Sequence, residues 1–176
     1  MVENERPGEM TESTTISVEK IKSILQQVMD PEVPVLSVID LGIIRDIVIG
    51  DNETEIIITP TYSGCPAMDV ISTNIKMELL ANGFNTIKIT TVLSPAWTTD
   101  WMTEEGKLKL KEYGIAPPNP KQQVCHTDLF TPHEAVQCPH CNSYHTHRVS
   151  EFGSTACKAL FQCDDCKEPF DYFKCH

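Results

Sequence analysis

The chain has 176 residues, of which 40% are hydrophobic and 22% are charged, and its formal net charge at pH 7 is −11. This length allows one main domain of roughly 100 residues with a hydrophobic core, and a smaller remnant that needs further stabilisation. The negative charge argues against a nucleic-acid partner, which requires clustered Lys and Arg, and no apolar run is long enough to span a bilayer.

The first predicted elements are a polar tail, a helix and a β-hairpin. Residues 1–15 are acidic and offer almost nothing to bury, which is typical of a disordered tail. Apolar residues at helical spacing then predict a helix that begins after an N-cap at Ser17 and ends before Pro31. Residues 43–50 and 53–62 are extended apolar runs joined by turn residues, and they predict an antiparallel hairpin.

A second helix and a third strand follow the hairpin. Residues 66–83 predict the helix, because Pro66 suits its first turn and Gly83 suits its carboxyl-terminal cap. Residues 84–93 predict the strand. The predicted helix has a buried stripe of five apolar residues, Val70, Ile71, Ile75, Leu79 and Leu80.

A third helix completes the main domain. It is predicted to begin after a cap at Thr98 or Thr99 and to end at Gly114. The order α-β-β-α-β-α with an antiparallel hairpin predicts an α+β sandwich over residues 16–116. Residues 117–136 are rich in proline and polar side chains at their start, and they predict a stiff, extended linker.

Residues 137–176 predict a zinc-ribbon-like β module. Two Cys-x-x-Cys pairs, Cys138 with Cys141 and Cys163 with Cys166, are separated by 21 residues. The amino terminus lacks an apolar signal segment, so we expect a cytoplasmic protein whose thiols stay reduced and bind metal rather than form disulfides. Four thiolates on two turns at the ends of a β-hairpin suit one tetrahedral zinc ion.

The sequence leaves open whether further residues bind the metal, and whether the site holds an iron–sulfur cluster instead of zinc. Cys157 and Cys175 are additional thiols, and Cys157 has the same strand parity as Cys163, which would place both on one face. Cys157 is equally well explained as a small buried residue. Clustered thiols also hold iron–sulfur clusters. The histidines that could replace a cysteine are better explained as solvated residues: His140, His145, His147 and His176.

Cys65 is the single cysteine of the main domain, and it lies between a predicted strand and a predicted helix. The N–H groups at a helix start lower the pKa of a thiol and raise its reactivity, whereas Asp69 opposes this effect. A packed structural cysteine is an equal alternative. Asp30, Glu32 and Asp40 are interpreted as capping or solvated carboxylates. No base or phosphate-loop motif accompanies Cys65, so we expect no catalytic activity of the chain's own.

Two stretches carry a resemblance to known families. "DPEVPVLSVIDLGIIRDI", followed by "TPTYSGCPAMDVI", resembles the small α+β domain shared by iron–sulfur cluster assembly and targeting proteins. The longer chain, with the tail "FGSTACKALFQCDDCKEPFDYFKCH", resembles the D-type (also called J-type) component family of the bacterial ring 1,2-phenylacetyl-CoA epoxidase. That system is a multicomponent di-iron monooxygenase of aerobic phenylacetate breakdown. The resemblance runs from about Ser17 to His176.

The resemblance implies an accessory protein rather than the oxygenase itself. It implies that the protein helps to assemble a metal centre, iron–sulfur or di-iron, in another subunit of the epoxidase system. Cys65, at the family's Gly-Cys-Pro position, would be the reactive or metal-transfer thiol, and the four cysteines of the two pairs would bind metal. Asn142 stands after the first pair where glycine is common, but Asn tolerates the same left-handed backbone.

Three functional hypotheses result. The leading one is a maturation factor for a metal centre of the epoxidase. The second is a non-catalytic, zinc-stabilised interaction subunit of the same complex. The third is an electron-transfer protein with an iron–sulfur cluster in its tail. The sequence leaves open whether the chain also forms a homo-oligomer, and it predicts neither a membrane nor a nucleic-acid partner.

Overall fold

The structure, a computed structural model, describes residues 17–118 and 136–174. Within these ranges the helices are α1 (Val18–Leu25), α2 (Ala67–Ala81) and α3 (Glu104–Glu112), and the strands are β1 (Ile44–Ile49), β2 (Thr54–Ile58), β3 (Ile87–Thr91), β4 (Ile115–Ala116), β5 (Thr146–Ser150), β6 (Lys158–Cys163) and β7 (Pro169–Phe173). The α+β class and the order α-β-β-α-β-α are confirmed. The predicted tail, most of the predicted linker, Cys175 and His176 lie outside the described residues.

Helix α1 begins where it is predicted and ends early. The Ser17 hydroxyl accepts a hydrogen bond from the Lys20 N–H at 3.2 Å, so Ser17 is the N-cap. The helix ends at Leu25 rather than near Pro31, because the chain then tightens into a turn in which the Val28 N–H donates to the Leu25 carbonyl at 3.1 Å. Met29 forms an antiparallel bridge with Ser37 in the loop that follows. This pairing folds the proline-rich loop back against the helix end.

The first sheet has the strand order β1-β2-β3. Strands β1 and β2 are antiparallel, as predicted, whereas β2 and β3 are parallel and are connected through α2. Helix α2 buries Ile71, Ile75 and Leu79. The other two residues of the predicted stripe, Val70 and Leu80, are 47% and 53% exposed, because the buried face of this helix is narrower than predicted.

The predicted third helix is divided into two pieces. A short 3-10 turn covers Thr99–Trp101, and α3 begins only after an N-cap at Thr103, whose hydroxyl accepts from the Gly106 N–H at 2.9 Å. The predicted caps at Thr98 and Thr99 are therefore wrong for α3. Gly114 has a φ of 90° and ends the helix as predicted.

The second sheet has the strand order β4-β7-β6-β5 and joins the two parts of the chain. Strand β4 directly follows α3 and pairs in parallel with β7, which lies near the end of the described chain. The Phe173 ring packs against Trp97, and both residues belong to one buried cluster with α1 and α2. A smaller cluster around Phe161, Phe170 and Tyr172 fills the rest of the second sheet.

None of the helices in residues 17–118 and 136–174 has the length and apolar content needed to cross a membrane.

Candidate metal centre and the Cys65 loop

Two Cys-x-x-Cys turns of the same shape lie close together at one end of the second sheet. In the first, the Asn142 N–H donates to the Cys138 carbonyl at 2.9 Å; in the second, the Lys167 N–H donates to the Cys163 carbonyl at 3.0 Å. Asn142 and Lys167 both have a left-handed backbone, with φ of 61° and 66°. The expectation that Asn142 adopts this conformation is confirmed.

The four sulfur atoms of Cys138, Cys141, Cys163 and Cys166 all lie within 4.8 Å of one another. The Sγ atoms of Cys138 and Cys166 are 3.7 Å apart, and those of Cys141 and Cys163 are 3.6 Å apart. Metal–sulfur bonds of about 2.3 Å in a tetrahedron place the sulfurs about 3.8 Å apart, whereas a disulfide bond is about 2.05 Å long. The group therefore fits a tetrathiolate metal ion.

A glutamine precedes each turn and supports it in the same way. The Gln137 side-chain amide donates to the Asn142 carbonyl at 3.1 Å, and the Gln162 amide donates to the Lys167 carbonyl at 3.2 Å. Each bond fixes the left-handed residue that follows the second cysteine of its turn. The signal in the sequence is the repeated Gln-Cys-x-x-Cys, which the spacing of the cysteines alone does not capture.

Backbone N–H groups favour a thiolate at one position of this group. The Cys166 N–H, helped by that of Asp165, lowers the pKa of Cys163 to about 7. A thiolate at Cys163 is ready to bind a cation near neutral pH, because only the deprotonated form is a good metal ligand.

Two histidines of this region pair with aspartates instead of the four sulfur atoms. His145 Nδ1 lies 3.2 Å from Asp165 Oδ1, and His147 Nδ1 lies 3.0 Å from Asp164 Oδ1. His140 is exposed. In the described part of the chain, the four-sulfur group includes no histidine.

Cys157 lies apart from the four-cysteine group and is 5% exposed, in the same buried cluster as α1 and α2. The Cys157 thiol lies 3.0 Å from the Thr155 hydroxyl and donates to Glu32 Oε2 at 3.5 Å. The parity argument that placed Cys157 with Cys163 is wrong, because β6 begins only at Lys158. Cys175 lies outside the described residues.

Cys65 lies on the loop between β2 and α2 and is partly exposed. Its pKa is raised, chiefly by burial and also by the charges of Glu32 and Asp30, although the Ala67 N–H bonds to the sulfur and lowers it. The helix start lowers the pKa as expected, since Ala67 is the first residue of α2, but burial outweighs this effect and the pKa is raised overall. The carboxylates that oppose the thiolate come from the loop after α1, not from Asp69 as the sequence suggested.

Asp30 and Glu32 have specific contacts, within their own loop and with Cys157. Asp30 Oδ1 accepts from the N–H groups of Glu32 and Val33, each at 2.7 Å, and burial raises the pKa of Asp30 despite these bonds. Asp30 thereby shapes the loop that presents Glu32 to Cys157. No periodic pattern indicates this arrangement, because the contact joins residues 125 positions apart.

Family models match each part of the chain. The model of the iron-sulfur cluster assembly protein family matches residues 18–85, and the model of the PaaD zinc beta ribbon domain matches residues 122–174. Cys65 lies in the first match, and the four-cysteine group and Cys157 lie in the second.

Several known proteins are similar to this chain. A protein of Escherichia coli strain K12, described as a candidate D component of 1,2-phenylacetyl-CoA epoxidase, is 50% identical over 158 residues, which are 90% of this chain and 93% of that protein. An Fe-S protein maturation auxiliary factor of Porphyromonas gingivalis strain W83 is 37% identical over 52% of this chain and 89% of that protein. A crystal structure of a domain of unknown function from Bacillus anthracis matches 52% of this chain and 89% of its own, with 29% identity and a TM-score of 0.50.

Proposed function

This chain belongs to the D-type component family of 1,2-phenylacetyl-CoA epoxidase, and we propose that it is a maturation factor that assists the assembly of a metal centre in a partner subunit of that system. An accessory role of the iron–sulfur assembly type has support from the family model over residues 18–85 and from relatives named as Fe-S protein maturation auxiliary factors. The partner's centre would be an iron–sulfur cluster or a di-iron site. The action would take place in the cytoplasm, where thiols stay reduced and available for metal binding.

The resident metal of this function is zinc, held by Cys138, Cys141, Cys163 and Cys166. The sulfur separations of 3.6 and 3.7 Å support a tetrahedral ion, and four thiolates with no open position are typical of structural zinc. Bound zinc would hold together a sheet whose own buried cluster is small. Elemental analysis of protein purified without oxygen tests this assignment: one equivalent of zinc supports it, whereas iron with acid-labile sulfide and visible absorption would indicate an iron–sulfur cluster.

The observation that carries the maturation role is the position of Cys65. It is a partly exposed thiol on a loop of the segment that matches the assembly family, and two carboxylates from another loop act on it electrostatically. Sulfur and carboxylate ligands suit iron in transit, because a partly exposed site can both receive and release it. Cys65 is proposed as the metal-transfer thiol.

A Cys65→Ser variant tests this role in cells that contain the other epoxidase subunits. We expect the variant protein to fold and to retain its zinc, while the iron content and the activity of the partner enzyme fall. Ser63→Ala, two residues earlier on the same exposed loop, is the matched control and should leave both unchanged. Unchanged iron and activity with Cys65→Ser would exclude Cys65 from metal transfer.

A non-catalytic interaction subunit is the second candidate, and the shared core favours it. Because Phe173 and Cys157 pack with α1 and α2, the metal-holding sheet is built into the body of the protein and can present one rigid docking surface. In that case Cys65→Ser would have no effect, whereas loss of the four cysteines would abolish co-purification with the other subunits. The two variants therefore separate the candidates.

A further inference from the structure

Helix α2 carries a second apolar row on the side that faces away from its buried residues. Val70, Met77 and Leu80 lie seven and then three positions apart, so they share one face of the helix. Met77 is 63% exposed, and Val70 and Leu80 are each about half exposed. Single exposed apolar residues need no explanation, whereas an aligned row of them indicates a contact surface. These three residues are called the α2 stripe below.

The α2 stripe has the spacing of a seam between two helices. Val70 and Met77 take the a positions of a heptad frame, and Leu80 takes a d position. Thr73 occupies the remaining d position between them. Its hydroxyl donates to the Asp69 carbonyl at 2.8 Å, so the Thr73 side chain can be covered without the loss of a hydrogen bond. All four seam positions are therefore compatible with burial against a second helix.

Two opposite charges flank the α2 stripe on one side. Asp69 and Lys76 are both exposed and, being seven positions apart, both take the g position of the same heptad frame. Within residues 17–118 and 136–174, neither side chain belongs to an ion pair. Charges at g positions decide the partner and the orientation of a helix pair. Asp69 and Lys76 therefore indicate which helix fits the stripe.

An antiparallel second copy of α2 matches both the stripe and the charges. When Val70 of each copy lies opposite Leu80 of the other, the whole α2 stripe is covered. In this alignment Asp69 of each copy also lies opposite Lys76 of the other, which gives two equivalent ion pairs. A parallel alignment would place Asp69 beside Asn74 and leave both charges unpaired. A surface that complements itself in this way is what a two-fold symmetric contact requires.

We propose that the α2 stripe is the interface of a homodimer in which the two α2 helices pack antiparallel. Helix α2 has 15 residues, so the contact falls below the about 1,200 Å² of a standard interface and the dimer is weak. The two Cys65 loops, each directly before α2, lie at opposite ends of a helix pair roughly 20 Å long. Both loops thus stay accessible in the dimer. This association goes beyond the proposed function and does not depend on it.

Sedimentation equilibrium of the full-length, zinc-loaded protein tests the dimer. The protein is measured under reducing conditions from about 1 µM to about 1 mM, a range that covers weak association. Salt of about 0.15 M screens the long-range repulsion between two chains of net charge −11. We expect the mass to rise from one chain to two. Met77→Lys should weaken the association about tenfold or more, because it would bury a charge in the seam.

Leu108→Lys is the matched control for Met77→Lys. Leu108 is also more than half exposed, but it lies on α3 and outside the α2 stripe. This variant should associate like the original protein. Both side chains are exposed, so both variants should keep their zinc and their melting temperature, and a loss of the dimer then reports the interface rather than the fold.

Exchange of the two flanking charges tests the antiparallel alignment. Asp69→Lys and Lys76→Glu each place like charges opposite one another and should weaken the dimer severalfold. The double variant restores opposite charges, and its affinity should return to within about twofold of the original. The proposal is overturned by a protein that stays monomeric at every concentration, by a dimer that Met77→Lys leaves intact, or by a double variant that associates no better than the single ones.

Discussion

The Phe173 ring packs edge-to-face against Trp97, with ring centroids 6.3 Å apart and ring planes at 66°. Trp97 is held in place by a hydrogen bond as well, because its indole N–H donates to the Leu41 carbonyl at 2.9 Å. A side chain from the last strand thereby completes the core of the first sheet and helices. The two sheets should then unfold together rather than as independent domains.

Replacement of Phe173 by alanine tests this coupling. Phe173 is 2% exposed, and the loss of a buried Phe ring typically costs about 3–5 kcal/mol of unfolding free energy. Urea denaturation should show one transition in the original protein and a large loss of stability in Phe173→Ala. Phe152→Ala, which removes a ring that is 63% exposed, should change stability by less than about 1 kcal/mol. Two separate transitions in the original protein would contradict the shared core.

The buried carboxylate of Asp40 predicts a specific pH dependence. Burial raises its pKa, but hydrogen bonds from Lys109 and Ser37 outweigh burial, and the pKa lies below the usual value. A lowered folded-state pKa contributes stability above the unfolded pKa of about 3.9, and that contribution disappears as the pH falls through the folded pKa. Lys109→Met, which removes a 2.9 Å ion pair, should therefore cost about 1–3 kcal/mol at pH 7 and progressively less below pH ~4.

Urea melts of both proteins over this pH range measure that difference, and any loss of metal in acid affects both equally. Lys107→Met is the matched control, because Lys107 pairs at 2.7 Å with an exposed Glu104. Its effect should stay below about 1 kcal/mol at every pH. An equal cost for both lysines would show that Asp40 gains nothing from Lys109.

The second Cys-x-x-Cys turn carries a correctable strain. Lys167 has a φ of 66°, a conformation that costs an ordinary residue roughly 1–2 kcal/mol of steric strain and that glycine adopts without this strain, at some cost in backbone entropy. Lys167→Gly should raise the melting temperature of the zinc-loaded protein, with a gain of up to about 1 kcal/mol. Asn142→Gly, at the equivalent position of the first turn, should gain less, because Asn tolerates this backbone better. A lower melting temperature for Lys167→Gly would mean that its side chain stabilises the turn more than its backbone strains it.

Metal removal should loosen one sheet selectively. The four cysteines hold the ends of β5 and β6, whereas β7 is also held by β4 and by the Trp97 contact. After chelation, hydrogen exchange should rise most in residues 146–163 and least in β2, whose Ile56 and Ile58 are fully buried. Cys163→Ser should reproduce this pattern without chelator. Equal exchange in all strands would show that the metal supports the whole fold.

The Cys65 thiol should react slowly at neutral pH. Burial and the charge of Glu32 raise its pKa, so less thiolate is present than for an ordinary cysteine. Glu32→Gln should lower that pKa and speed the alkylation of Cys65 at pH 7.5, measured by mass spectrometry of its peptide. Glu53→Gln should leave the rate unchanged. A rate unaffected by Glu32→Gln would show that the charge of Glu32 does not raise the pKa of Cys65.

Local signals in the sequence were sufficient for most of the elements and for the four-cysteine group. The turn residues after β1, the helical spacing of Ile71, Ile75 and Leu79, and the repeated Cys-x-x-Cys each act over a few neighbouring positions. Patterns of this kind predict structure reliably because the physical cause is local. The early end of α1 was not predicted, because Met29 pairs with Ser37, and Ser37 lies beyond the residues from which the helix was predicted.

The long-range relationships could not be predicted in the same way. Strand β4 has only two residues and is too short to show a periodic pattern. No sequence pattern therefore predicts its pairing with β7. Cys157 lies in a turn just before β6, so the alternation of faces along the strand does not extend to it. The contact between Glu32 and Cys157 depends in turn on the position of this cysteine before β6.

The parallel ladder pairs β4, which lies before positions 119–135, with β7, which lies after them. A single backbone cut between positions 119 and 135 would consequently yield two polypeptides that stay associated through this ladder and the aromatic contact beside it. The nicked molecule would elute as one species in native buffer and separate only in denaturant, and the two pieces expressed from separate genes would reconstitute a working split protein.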